Sequence, residues 1–171
     1  MTLSGLILRI PEADELVGEL RRRLDPVAGR GVPAHVTVLF PFVPPVGINA
    51  EVRERVAEIA GAVPSFDYRF SRIGWFGETV IFLEPDDPRP FVELTQRLWD
   101  GFPAYPPYGG RFDTVHPHLT IGDDQPLEQL KAAEHSLAGF DPIVGTATRL
   151  TLMAQNDDRQ WNQAGDWPLS G

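Results

Sequence analysis

The feature that most limits what this chain can become is a repeat. His35-Val36-Thr37-Val38 and, much later, His118-Leu119-Thr120-Ile121 each set out a histidine, an apolar residue, a threonine and an apolar residue. Side chains alternate across an extended strand, so His35 and Thr37 point one way while Val36 and Val38 point the other, and the second segment repeats the arrangement. Each segment is therefore a strand with an apolar face to anchor in a core and one polar face. With four histidines in 171 residues and 42% apolar content, two chance matches have a probability on the order of one in a thousand.

A lone histidine on a strand is most often structural; two in matching settings reverse that reading. Phosphodiester chemistry gives a reason for a pair. One neutral imidazole removes a proton from the attacking oxygen, and one imidazolium protonates the leaving oxygen. The threonine hydroxyls, two positions along on the same face, can donate hydrogen bonds to phosphate oxygens as charge develops.

Leu3 to Ile10 reads as an apolar strand. Glu12 to Leu24 follows as a helix, with Leu16, Val17, Leu20 and Leu24 at helical spacing. Ala34 to Phe40 alternates as a strand ended by Pro41, and Ala50 to Ala60 reads as a helix capped by Asn49. Phe66 to Ile73 and Thr79 to Leu83 are strand-like around a turn placed at Gly74 to Gly77. A helix over Arg89 to Trp99, a Pro- and Gly-rich loop from Gly101 to Thr114 and a short strand at His118 to Ile121 come next. Leu127 to Leu137 reads as helical, Val144 to Ala154 as a strand, and the tail from Asn156 to Leu169 as a turn and a last strand through Trp161. The strands lie too close for parallel crossovers alone, so the pattern predicts an α+β fold. The length fits a single domain over residues 1–171, either one compact body or two small lobes.

Composition removes several function classes. The absence of cysteine excludes thiolate nucleophiles, cysteine zinc sites and disulfides. A net charge of -9 disfavours extended non-specific nucleic-acid binding, while a small nucleotide or an RNA end remains open as a partner. Arg21-Arg22-Arg23 ends a helix beside acidic residues and reads as a solvated face rather than a nucleic-acid patch. Met1 to Ile10 has no basic leader or cleavage site, and no segment reaches the ~20 apolar residues of a membrane span. A soluble, cytoplasmic monomer is the expectation. No Gly-rich phosphate loop and no Gly-x-Ser-x-Gly elbow is present.

The paired His-x-Thr-x motifs resemble those of the two-histidine phosphoesterase superfamily, which includes bacterial 2′-5′ RNA ligase-like proteins and cyclic nucleotide phosphodiesterases. The resemblance spans nearly the whole chain, from His35-Val36-Thr37-Val38-Leu39-Phe40 to Pro117-His118-Leu119-Thr120-Ile121. It implies a bilobal fold of two pseudo-symmetric lobes, each giving one motif strand to a central cleft. It also implies catalysis without metal or other cofactor, often on 2′,3′-cyclic phosphates or 2′-5′ linkages. On the motif match, His35, Thr37, His118 and Thr120 inherit the catalytic positions.

Five further residues are weaker substrate-binding candidates. Tyr108 and Trp161 offer rings to stack on a base, Arg111 and Arg159 offer charge to a phosphate, and Phe42 lies between rim and core. Two rival readings stand beside the acid–base pair. His116 and His118 with His35 could supply three nitrogen ligands to Zn²⁺, although the threonines then have no role. Alternatively, the cleft binds a nucleotide or RNA end with little chemistry, since donors that stabilise a transition state also bind a ground-state phosphate. His135, in a helical segment without a partner motif, reads as a surface histidine.

Overall fold

Two four-stranded antiparallel sheets, ordered β2-β1-β7-β8 and β5-β4-β3-β6, carry the architecture of the computed structural model, which describes residues 1–171. In chain order the elements are β1 (Ser4–Arg9), α1 (Asp14–Leu24), β2 (His35–Leu39), α2 (Ala50–Gly61), β3 (Phe66–Phe76) and β4 (Val80–Pro85). They continue with α3 (Arg89–Gly101), β5 (Leu119–Asp123), α4 (Leu127–Ser136), β6 (Ile143–Ala147), β7 (Arg149–Gln155) and β8 (Trp161–Pro168). The α+β, bilobal expectation holds, and each motif strand is an edge strand, β2 in one sheet and β5 in the other.

Local chemistry sets the elements. Asn49 caps α2 through its side-chain oxygen, which accepts from the Val52 N–H at 3.0 Å and so satisfies one of the free donors of the first turn. Helix α3 buries Phe91, Leu94 and Leu98, spaced three and four apart, and each such side chain contributes about 1.5–3 kcal/mol on leaving water. No helix is long and apolar enough to cross a membrane.

The helices are exchanged between the lobes. Helix α1, which follows β1, packs on β5 of the other sheet, and α3, which follows β4, packs on β2. Each exchanged helix also supplies a donor to a motif strand. Thr95 of α3 donates to the Val38 carbonyl at 2.8 Å, and Arg21 of α1 donates through Nε to the Thr120 carbonyl at 3.1 Å. Edge strands present unpaired backbone groups, and these two bonds satisfy some of them from across the molecule. Every buried side-chain nitrogen and oxygen has a partner.

Three expectations are corrected. The segment Val144 to Ala154 is two strands rather than one: β6 pairs with β3, while β7 pairs with β1 and β8. Ile143 and Ala147 face inward before Thr148, and Leu150 and Leu152 after it, so the phase of the alternation flips there and the chain changes sheets. The hairpin turn covers residues 77–79 rather than Gly74 to Gly77, because β3 runs on to Phe76: Gly74 sits opposite Phe82 on β4, and a Cβ there would come within 2.4 Å of its ring. Third, the Arg21-Arg22-Arg23 run is solvated only in part, since Arg21 is 3% exposed and faces Asp25.

Candidate active site

Strands β2 and β5 approach each other, and between them lies a cavity of about 210 Å³. His35, Thr37, His118 and Thr120 all line it. The cross-strand register explains the floor: Thr37 is paired with Ile7, and Ile7, Gly5 and Met153 lie on the same face of the first sheet. Three rings, Phe40, Tyr108 and Trp161, form a wall on one side. Two carboxylates, Asp25 and Asp123, stand on another, and no lysine or arginine lines the cavity.

The histidines are held identically. Nδ1 of His35 lies 2.7 Å from the Pro33 carbonyl oxygen, and Nδ1 of His118 lies 2.7 Å from the His116 carbonyl oxygen. A carbonyl can only accept, so each Nδ1 carries the proton and donates. The neutral ring then keeps its lone pair on Nε2, the atom left to exchange a proton.

A matching bulge follows each threonine. On β1 and β2, Leu6 pairs with Leu39 but Ile7 with Thr37, leaving Val38 as the extra residue. On β4 and β5, Ile81 pairs with Gly122 but Phe82 with Thr120, leaving Ile121. A bulge re-aims what comes after it. Phe40 and Asp123, which hold the same place after their histidines, are thereby turned into the cavity.

The surroundings depress both imidazoles. His35 is pushed down to about 4, chiefly by burial and then by the Arg21 cation and His118, against the bond to Pro33. His118 is also lowered, by burial and by His116, against its own carbonyl bond. Phe76 and Phe82, with centroids 4.8 and 5.3 Å from the His118 ring, back that side. An anion between the rings would raise both, because an opposite charge favours the protonated form. Burial raises Asp25 and Asp123, and it pushes the Tyr108 hydroxyl up to about 12.

Of the five weaker candidates, Tyr108 and Trp161 reach the cavity. Phe42 does not: it is 2% exposed and packs on the rings of Phe102 and Tyr105 as a core residue. Arg111 and Arg159 are exposed and lie outside the cavity walls, Arg159 in the β7–β8 turn at φ 60°. His116 faces Glu84 at 3.7 Å, and no three His, Asp or Glu side chains gather as metal ligands. Sequence reasoning missed Phe40, Asp123, Asp25 and Gly5 in the site. Extending the motif comparison past Thr37 and Thr120 would have found the first two. Gly5 leaves room for the Phe40 ring, which would lie 3.0 Å from a Cβ there.

The same architecture occurs in solved structures. Escherichia coli LigT complexed with NADP⁺ superposes with a TM-score of 0.64 at 21% identity, covering 99% of this chain and 98% of that one. LigT complexed with 3′-AMP gives 0.62 at 21% identity, covering 99% of each chain. TT0787 of Thermus thermophilus gives 0.67 at 16% identity, covering 99% of this chain and 98% of that one. These likenesses define the class as the LigT-like bilobal fold. The sequence pattern of the 2′-5′ RNA ligase superfamily matches residues 10–159, and the chain belongs to that superfamily of phosphoesterase and RNA ligase-like enzymes. No curated protein matches the sequence.

Proposed function

We propose that this protein is a metal-independent phosphoesterase acting on a 2′,3′-cyclic phosphate or a 2′-5′ phosphodiester of a nucleotide or RNA end, with His35 and His118 as its acid–base pair. The observation that carries this reading is the matched anchoring of the two rings: both Nδ1 atoms donate to carbonyls, leaving two Nε2 atoms to serve one cavity. In hydrolysis, one Nε2 takes a proton from water as its oxygen attacks phosphorus, and the other, protonated, gives its proton to the departing ribose oxygen. Protons balance across the pair, and with a ribose 5′-hydroxyl in place of water as the attacking group the same two transfers give ligation. Thr37 and Thr120 donate to the non-bridging oxygens. Since no cationic side chain lines the cavity, the imidazolium is the positive charge that meets the phosphate.

LigT has been solved with 3′-AMP, and a small nucleotide is the partner proposed for this chain. The test is turnover on a panel of nucleoside 2′,3′-cyclic phosphates, 2′-5′ dinucleotides and cyclic-phosphate RNA ends, with EDTA throughout. Turnover of one class in EDTA, lost in His35→Ala and His118→Ala, is expected. Activity that EDTA abolishes and Zn²⁺ restores would overturn the mechanism. Tight binding without turnover of any member would leave a nucleotide-binding module in its place.

A further inference from the structure

The pseudo-symmetry of the cavity breaks at one matched pair of positions. Phe40 and Asp123 each follow their histidine by five residues, and a bulge turns each of them into the cavity, but one is a phenyl ring and the other a carboxylate. The second carboxylate of the lining, Asp25, is met by Arg21 at 2.9 Å. Asp123 has no such partner, and the charge beside it is another carboxylate, Asp124. The rim adds no excess of cations. Arg159 follows Asp157 and Asp158, Asp113 lies two residues after Arg111, and Arg9, opposite His35 on β1, turns to Gln163 at 3.4 Å.

Resting on the phosphoesterase reading, we infer that the cavity selects its substrate by charge: it takes a mononucleoside 2′,3′-cyclic phosphate with an unphosphorylated 5′ end, and Asp123 is the specificity residue that turns away substrates carrying further phosphates, RNA ends among them. With no lysine or arginine in the lining, one imidazolium is the positive charge on offer, and it balances the single negative charge of one phosphodiester. A second phosphate on the same molecule meets Asp123 with nothing to offset the repulsion, and walls of low dielectric strengthen that repulsion. An uncharged base has a place regardless, against the rings of Phe40, Tyr108 and Trp161. The net charge of -9 acts in the same direction on a polyphosphate chain, whose binding draws on lysine and arginine.

Three substrates separate charge from size: adenosine 2′,3′-cyclic phosphate, its 5′-phosphate, and its 5′-carbamate, which extends the same end without charge. In the parent, kcat/KM should be similar for the first and third and lower for the 5′-phosphate, by roughly two- to fivefold per added charge. The gap should narrow in high salt, a readout that needs no variant. Asp123→Asn should close the gap several-fold, helping the 5′-phosphate more than the unphosphorylated compound, and Asp123→Lys should close it further. A 5′-phosphate turned over as well as the parent compound would overturn the inference. So would a carbamate as poor as the phosphate, or a gap that neither variant moves. If no cyclic phosphate is turned over, the phosphoesterase reading fails, and calorimetric binding of the same three compounds to the parent decides the rest. The same ranking in affinity leaves charge selection standing, and an equal affinity for all three, or none for any, removes it too.

Discussion

The backbone N–H of Tyr108 donates to the carbonyl of Phe40 at 2.6 Å, which carries a ring from the long loop to the end of the first motif strand. Phe40 in turn lies 6.2 Å from Trp161, so rings from three separate segments share one wall. Base–aromatic stacking is worth about 1–3 kcal/mol per base, roughly 5- to 150-fold. Trp161→Ala is expected to raise KM for a nucleoside cyclic phosphate by an amount in that range with kcat little changed. A ribose 2′,3′-cyclic phosphate without a base should show no such rise, and steady-state kinetics on both substrates decides it.

Removing either histidine removes a proton-transfer partner, typically worth about 10² to 10⁴-fold. His35→Ala and His118→Ala should each lower kcat on that scale, with circular dichroism and thermal midpoint close to the parent, because both rings face the cavity. Thr37→Ala and Thr120→Ala should cost less, since each removes one hydrogen-bond donor. A double histidine variant as fast as the parent would rule out the pair.

The pH profile has a direction fixed by the surroundings of the rings. Both imidazoles are depressed in the protein alone, His35 to about 4 from an ordinary 6.5. Since kcat/KM reports the free enzyme and kcat the complex, the kcat/KM bell should have both limbs below 6.5. Substrate brings a negative charge that favours protonation, so the limbs of the kcat profile should lie at higher pH. Limbs that coincide in the two profiles would show that the substrate phosphate does not lie between the rings.

Asp123 places a carboxylate in the cavity proposed to receive a phosphate, and burial, then Asp124 beside it, raises its affinity for a proton. Asp123→Asn keeps the shape and removes the charge. Exposed charge pairs are worth up to about 1 kcal/mol, so KM should fall by roughly two- to fivefold at low ionic strength and the gain should shrink in high salt.

Gly74 leaves space for the Phe82 ring, which packs beside His118. Gly74→Ala would force that ring off its site, and overpacking of this kind costs about 1–3 kcal/mol. A lower denaturation midpoint together with reduced kcat is expected, because the displaced ring backs His118.

Sequence carries the chemistry further than the architecture. The His-x-Thr-x repeat locates both site strands because alternation is a local rule, and Asn49 announces its cap for the same reason. The bulges at Val38 and Ile121 are hidden, since a bulge is a property of two paired strands and only one is read at a time. That is why the sequence alone places Phe40 on the apolar face with Val36 and Val38 rather than in the cavity. Arg21 looks like one of three solvated arginines because its partners, Val32 and Thr120, lie on different elements, and only the exchange of helices brings them together. The phase flip at Thr148 is written in the residues, but without a partner strand it reads as a single β-rich run.

The order of strands also bears on how the protein is made. The second sheet is encoded without interruption between Phe66 and Ala147, whereas in the first sheet Ile7 must wait for Thr151. Until β7 leaves the ribosome, β1 and β2 are a two-stranded ribbon, which is marginal alone in water. At about 5–20 residues per second, that wait is on the order of ten seconds. A nascent chain therefore presents the His118 strand on a finished sheet while the His35 strand is still unsupported, and a chain broken off before Arg149 carries both histidines but a completed sheet under only one of them.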